Sequence, residues 1–173
     1  YTDLLAGLCL FANAVKGVSA LQFARDMGIN AKSAFVMLHK IREAVASETK
    51  DARLFGEIEI DGAYVGGTIR PANLAVNRID RRLAHNQTGK RRVVVALRQR
   101  GGRTLPFVAM SEAHGVQIAA SVVEKNSKMF ADEASHWDAL HASFDTSRIN
   151  HSIAYSLNGI HTNQVESFFS RLR

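Results

Sequence analysis

The sequence predicts a mixed α/β domain that follows an all-helical segment. Residues 1–46 carry apolar side chains at helical spacing, and from Phe55 onwards the pattern changes to the alternation of a β-strand. The later elements are predicted in the order strand, two hairpin strands, helix, strand, helix, strand, helix. Strands that come first and crossovers that come later are typical of a mixed sheet with flanking helices. We therefore divide the chain into a helical domain at 1–46 and an α/β domain at 55–173.

The helical domain has the pattern of two helices joined by a short turn. Ser19 is a favourable N-cap, Leu21 and Ala24 give the first helix an apolar face, and Gly28 ends it. The apolar stripe of the second helix comprises Ala34, Leu38, Ile41 and Val45. Two helices with a glycine in the turn between them indicate a helix-turn-helix, a common DNA-binding unit.

The opposite face of the second helix is polar and basic. Its side chains are Lys32, Ser33, His39, Lys40 and Arg42. Side chains of these types reach phosphates and base edges, so we predict that this face binds DNA. A purely structural helical hairpin with a solvated basic face is the alternative.

The α/β domain begins with an alternating strand, in which Glu57, Glu59 and Asp61 share one face. Val93 to Leu97 and Thr104 to Met110 are predicted as hairpin strands around a Gly-Gly turn. The elements predicted after the hairpin are a helix at 116–124, a strand at 128–131, a helix at 134–142, a strand at 148–153 and a helix at 163–173.

Charge favours a polyanionic partner, with nucleic acid ahead of an anionic membrane surface. The formal net charge is +6 and the pI is about 9.8. Residues 70–92 form a basic stretch that includes Arg81, Arg82 and Arg91 and contains only one acid, Asp80. We predict a loop that becomes ordered on nucleic acid, with a merely solvated loop as the alternative.

The composition argues against a disulfide-rich, zinc-binding, secreted or membrane-spanning protein. A single cysteine, Cys9, leaves no disulfide framework and no zinc cluster, which predicts a reducing, cytoplasmic setting. The apolar run from Leu4 to Val15 is too short to span a bilayer and lacks the features of a signal peptide. We therefore expect no membrane association.

Acidic motifs follow the predicted strands and open the last helix. Asp61 ends the first strand, Asp132 follows the fourth strand, and Glu166 and Asn163 lie one turn apart on the last helix. If the two strands are neighbours, their carboxylates emerge at one edge of the sheet, where the helix can lie across them. Carboxylate and amide oxygens are ligands that Mg²⁺ prefers, and paired Mg²⁺ ions cut and rejoin phosphodiesters.

Each of these acidic or amide residues also has a structural interpretation. Asp61 could begin a turn, and Asp132 could be the N-cap of the following helix. Asn163 and Glu166 have the spacing of a capping box. The joint order of these residues, in a basic chain with a helix-turn-helix in front, favours catalysis.

These motifs resemble those of a known family. The passage from Lys16 to Arg25, with His39-Lys40-Ile41-Arg42 after it, resembles the helix-turn-helix of bacterial insertion-sequence transposases. Later passages resemble DDE-type transposases that have an RNase H-like catalytic domain and a Thr-Asn-x-x-Glu third motif. These passages are Glu59-Ile60-Asp61, Tyr64-Val65-Gly66-Gly67, Asp132-Glu133, Ile149-Asn150-His151-Ser152 and Thr162-Asn163-Gln164-Val165-Glu166.

The resemblance implies a site and a reaction. Asp61 and Asp132 match the two catalytic aspartates, and the third ligand of Mg²⁺ or Mn²⁺ maps to Glu166 or Asn163. Arg173 matches a position that often holds a basic DNA-contacting residue. The implied reaction is cleavage of the DNA ends of an insertion sequence, followed by strand transfer into target DNA. We expect a homo-oligomer on DNA in the bacterial cytoplasm, associated with the nucleoid.

The sequence also departs from the family pattern. It has no zinc ribbon upstream, it has Gly62 where an acid is frequent, and it ends where the family continues, so we expect the catalytic domain to be incomplete at its C-terminus. Two alternatives therefore stay open. One is a catalytically inactive DNA-binding regulator or transposase remnant, which would not bind the metal. The other is an RNase H-fold nuclease, which would cut DNA without joining it.

Overall fold

The computed structural model describes residues 2–65, 72–79, 92–151, 153, 156–157 and 159–172. Most of the predicted basic loop, including Arg81, Arg82 and Arg91, lies outside these residues, as does Arg173. Contacts divide the chain into two compact units, one formed by residues 1–52 with 168–173 and the other by 53–167.

The secondary structure comprises five α-helices, five strands and two 3₁₀ helices within the described residues. The α-helices are α1 (Thr2–Asn13), α2 (Ala20–Met27), α3 (Ala31–Thr49), α4 (His114–Val122) and α5 (Asn163–Leu172). The strands are β1 (Glu57–Val65), β2 (Arg92–Gln99), β3 (Thr104–Ala109), β4 (Lys128–Ala131) and β5 (Asp145–Arg148). The 3₁₀ helices are Ala75–Asn77 and Ser135–Ala142. None of the described helices combines the length and the apolar composition that crossing a bilayer requires.

In the helical unit, α2 begins and ends where the sequence predicts for the first helix of the helix-turn-helix. The Ser19 side chain accepts a hydrogen bond from the Gln22 N–H, and Gly28 ends α2 in the left-handed region with φ at 64°. The Asn30 side chain then caps α3 by accepting from the Ser33 N–H at 2.8 Å. A turn of three residues therefore joins α2 to α3.

The core of the helical unit lies between α2 and α3, with side chains of α1 packed against it. Its buried residues are Phe23, Ala24, Ala34, Leu38 and Ile41. Two predicted core positions are wrong, because Leu21 and Val45 are exposed. The buried face of α2 runs through Ala20, Phe23, Ala24 and Met27, which are three or four residues apart, and Leu21 lies to the side of it.

The α/β unit contains a mixed sheet of five strands in the order β3-β2-β1-β4-β5. β1 pairs with β2 antiparallel and with β4 parallel, and β5 pairs with β4 parallel. Ile58, Glu59 and Ile60 are all fully buried, so both faces of β1 are covered. The predicted RNase H-like mixed sheet with flanking helices is confirmed.

Three predicted elements need correction. β1 continues past Asp61 to Val65, because its ladder with β2 extends as far as the pair Val65–Arg92. The helix after Asp132 is a 3₁₀ helix instead of an α-helix. The last strand is β5 at Asp145–Arg148 instead of 148–153. Its sequence has no apolar alternation, and backbone pairing with β4 makes it a strand.

Candidate active site

Asp61 lies on β1, and Asp132 directly follows the neighbouring parallel strand β4. The ladder between β1 and β4 pairs Glu59 with Phe130. Asp61 lies two residues after Glu59, and Asp132 lies two residues after Phe130. β4 ends at Ala131, so Asp132 is the first residue beyond it, while Asp61 is still within β1. Both aspartates therefore belong to the edge of the β1–β4 pair where β4 stops.

Local hydrogen bonds hold each aspartate. The Gly62 N–H donates to Asp61 Oδ1 at 2.7 Å, and the Ala134 N–H donates to Asp132 Oδ1 at 3.1 Å. The second bond makes a turn after β4 but does not cap a helix, because the N-cap of the 3₁₀ helix is Ala134. Arg148 donates to the backbone carbonyls of Asp132 and Ala134, which fixes the loop that carries Asp132.

Glu166 is supported by a histidine and a threonine. Thr162 Oγ1 donates to Glu166 Oε1 at 3.4 Å, and His151 Nε2 lies 2.9 Å from Thr162 Oγ1 and 3.3 Å from Glu166 Oε1. The His151 backbone N–H donates to Glu133 Oε2 at 2.8 Å. These contacts connect the start of α5 to the loop after β4, so the second and third acidic motifs support each other.

Helix capping does not account for Asn163 and Glu166. α5 begins at Asn163, which places Thr162 at the N-cap and Glu166 one residue beyond the position that a capping box uses. The N–H groups of Gln164 and Val165 donate to Glu59 Oε2 on β1. Asn163 is exposed at the first residue of α5.

The site contains a fourth carboxylate, that of Glu112, which the sequence motifs do not indicate. Glu112 lies between β3 and α4, and its side chain crosses Gly62 so closely that a Cβ there would be 2.6 Å from Glu112 Cγ. Its Oε2 lies 3.3 Å from His136 Nε2. The sequence signal is an acid shortly after a strand, but only the missing side chain at Gly62 makes room for it.

Burial and neighbouring negative charge together set the electrostatics of the site. Burial raises the pKa of Asp61 to about 7, against the hydrogen bond from Gly62, and the charges of Asp132, Glu112 and Glu166 raise it further. Burial and the charge of Asp132 likewise raise the pKa of Glu112 to about 7. Burial lowers the pKa of His136, although Asp132 opposes this shift. Asp61 therefore interacts with all three other carboxylates.

The raised pKa of Asp61 predicts how stability depends on pH without metal. Because the folded pKa is about 7 and the ordinary value is 3.8, the folded state binds more protons between them, so stability falls as pH rises through this window. At pH 8 we expect Asp61→Asn to be more stable than the unaltered protein by a few kcal/mol, at about 1.4 kcal/mol per pKa unit.

Thermal melting between pH 3 and pH 8 measures this effect. The gain from Asp61→Asn should vanish at the acidic end, where the aspartate is protonated in both states. Added Mg²⁺ should narrow the gap at pH 8 by stabilising only the unaltered protein. An equal stability of the two proteins at pH 8 without metal would contradict the raised pKa of Asp61.

The chemistry of the donor set fits a divalent cation. Carboxylate oxygens suit Mg²⁺ or Mn²⁺, and a cation would favour the ionised form of Asp61, whose pKa burial and neighbouring negative charge raise. Within the described part of the chain, no group of three or more His, Cys, Asp and Glu side chains is already arranged to hold a metal ion. Asp61 accepts from the Gly62 N–H through Oδ1, and Glu112 approaches His136 through Oε2. A carboxylate has two oxygens and several lone pairs, so it can accept one hydrogen bond and still bind a metal ion.

The predicted DNA-binding residues of the helical unit lie on α3. Lys32, Ser33, Lys40 and Arg42 are all exposed. Lys40 Nζ lies 2.8 Å from Glu43 Oε2, which offsets part of its charge. The remaining predicted DNA-binding residues, Arg81, Arg82, Arg91 and Arg173, lie outside the described residues.

Comparison with known proteins gives one family. Residues 53–173, well over half of the chain, match the family model described as the ISXO2-like transposase domain. The match covers β1 to α5 and with them all four carboxylates. No curated protein matches the chain significantly.

Proposed function

Since the chain belongs to the family of ISXO2-like, DDE-type insertion-sequence transposases, we propose that it cuts the DNA ends of an insertion sequence and joins them to target DNA. The reaction depends on Mg²⁺ or Mn²⁺ held by Asp61, Asp132 and Glu166. The observation that carries this proposal is that Asp61 lies on β1 and Asp132 directly follows the neighbouring parallel strand β4, with the charge of Glu166 acting on Asp61.

In this proposal the metal ligands come from both the sheet and α5. Asp61 and Asp132 supply the ligands from the sheet, and Glu166 supplies one from α5. Divalent ions in such a site activate a water or a 3′-hydroxyl and stabilise the leaving oxygen. Gly62 and Ala134 orient the aspartates through their N–H groups, and His151 with Thr162 orients Glu166.

Glu166 is preferred over Asn163 as the third ligand. Glu166 has a charge that acts on Asp61, and its carboxylate is held by side chains beside the second acidic motif. Asn163 lies one turn earlier on α5 and is exposed. Glu112 adds a fourth carboxylate next to Asp61, where it increases the negative charge that attracts a cation.

Residues 1–46 contribute duplex binding in this proposal. The exposed side chains of α3 and the basic residues of 70–92 contact phosphates, because opposite charges attract and counterions are released. An oligomer on the DNA would allow two ends to be held together. Cleavage alone, without joining, would characterise an RNase H-fold nuclease, and duplex binding without cleavage would characterise an inactive regulator.

Duplex binding should depend strongly on salt, and α3 should carry part of this dependence. We expect Lys40→Gln and Arg42→Gln to weaken binding and to lower the salt slope by about one unit per lost phosphate contact. Glu43→Gln is a matched variant that should instead strengthen duplex binding, because it releases Lys40 from its ion pair. Fluorescence anisotropy at a series of salt concentrations measures both, and an affinity that does not change with salt would contradict phosphate binding.

The reaction itself is tested with duplexes that contain the DNA flanking the coding sequence. We expect cleavage at the ends of the element with Mg²⁺ or Mn²⁺ and none with EDTA. A labelled cut end should then appear joined to a second duplex. Cleavage without joined product would support the nuclease instead, and intact DNA with normal binding would support the regulator.

A further inference from the structure

The carboxylate of Glu59 connects the strand that carries Asp61 to the helix that carries Glu166. We infer that Glu59 is a positioning residue, which holds the start of α5 against β1 and thereby sets where Glu166 stands relative to Asp61. This inference rests on the proposed function of the site. It concerns an acid that would not itself bind the metal, because its oxygens are already engaged by other groups.

One oxygen of Glu59 binds the first turn of α5. Oε2 accepts from the N–H of Gln164 at 2.9 Å and from the N–H of Val165 at 3.1 Å. These N–H groups have no partner within the helix, and the helix N-terminus carries partial positive charge. A carboxylate from a residue more than 100 positions earlier therefore serves as the cap of α5.

The other oxygen of Glu59 faces an arginine and a histidine. Arg100 Nε donates to Oε1 at 2.9 Å, and His161 Nδ1 lies 3.0 Å from the same oxygen. Arg100 Nη2 also donates to the His161 carbonyl at 3.0 Å, and its guanidinium lies 3.8 Å from the centre of the Phe130 ring. Arg100 therefore contacts both the carboxylate and the residue that leads into α5.

Burial makes these contacts obligatory. Glu59 is fully buried, and a buried carboxylate is tolerated only when it is paired and hydrogen-bonded. Glu59 and Asp61 are two residues apart on β1, so their side chains leave the same face of the sheet. Glu166 follows Val165 directly. Glu59 therefore connects the strand segment that carries Asp61 to the first turn of α5, which carries Glu166.

Glu59→Gln tests the inference, and Glu57→Gln is its matched control. The amide keeps the volume of the side chain but must direct an N–H₂ group either at Arg100 or at the N–H groups of α5, where a second donor is repelled. Glu57 lies on the same strand face and also accepts from Arg100, at 3.1 Å. Its side chain is 54% exposed, and the described structure shows it bonded to Arg100 but not to α5.

Two measurements at a temperature well below unfolding separate positioning from simple stabilisation. Hydrogen exchange of residues 163–167 reports whether α5 is still fastened, and Mn²⁺ affinity by electron paramagnetic resonance reports the geometry of the site. We expect Glu59→Gln to speed exchange at the start of α5 and to weaken Mn²⁺ binding by about 10–100-fold. Glu57→Gln should leave both unchanged.

The outcomes are distinct. Faster exchange with unchanged Mn²⁺ affinity would reduce Glu59 to a structural cap and overturn the inference, as would unchanged exchange. If Glu59→Gln does not fold, Glu59→Asp keeps the charge, shortens its reach, and should show the same loss of Mn²⁺ affinity. An unaltered protein that binds no Mn²⁺ would refute the proposed metal site itself, which differs from a defect confined to the Glu59 variants.

Discussion

Changing Asp61 or Asp132 to asparagine is expected to reduce strand cleavage by about 10³-fold or more, because the site loses electrostatic stabilisation of the reacting phosphate. Each change removes a negative ligand yet keeps the volume of the side chain. Duplex binding should stay the same or become tighter, since one negative charge near the phosphates disappears. Cleavage rate and duplex affinity must therefore be measured on the same preparations.

A matched control for these variants is Asp145→Asn. Asp145 is an exposed aspartate at the start of β5, the strand next to β4, and its carboxylate has no part in the proposed site. We expect this variant to cleave at the normal rate. A folded Asp61→Asn protein that cleaves like the Asp145→Asn control would remove Asp61 from the site.

Glu166→Gln is expected to lower cleavage by about 10²–10³-fold, a loss comparable to that of one electrostatic group in an active site. Its melting temperature should hardly change, because Glu59 caps α5 and Glu166 does not. Asn163→Ala should retain most of the activity. The comparison requires cleavage and melting to be measured together for both variants.

The reverse result for this pair would be informative as well. An active Glu166→Gln protein beside an inactive, folded Asn163→Ala protein would transfer the role of third ligand to Asn163. Loss of activity in both variants would indicate that the first turn of α5 must be intact as a unit. In that case the carboxylate of Glu166 could no longer be assigned a separate role.

Local sequence signals predicted the elements that hold the aspartates. The alternation around Ile58 and Ile60 located β1, and the predicted strand at 128–131 matches β4. The predicted start of the last helix at Asn163 also matches α5. These elements were predictable because their apolar pattern reflects burial within a few residues of the chain.

Contacts between distant residues could not be predicted from the sequence. The segment of β5 has a polar sequence, so only its pairing with β4 makes it a strand. The place of Glu112 depends on the missing side chain of Gly62, and the role of Glu59 depends on a helix more than 100 residues later. Glu59 lies in the alternating pattern of β1 and Glu112 lies shortly after a strand, but neither pattern indicates which distant groups these acids contact.

Asp61, Asp132 and Glu166 are expected to bind a divalent cation together. Anomalous diffraction from crystals soaked with Mn²⁺ tests it most directly, at pH 8 or above so that Asp61, whose pKa is about 7, is ionised. We expect an anomalous peak within ligand distance of oxygens from both aspartates and from Glu166. A saturating soak that leaves this edge of the sheet without an anomalous peak would contradict joint binding of a cation by these three residues.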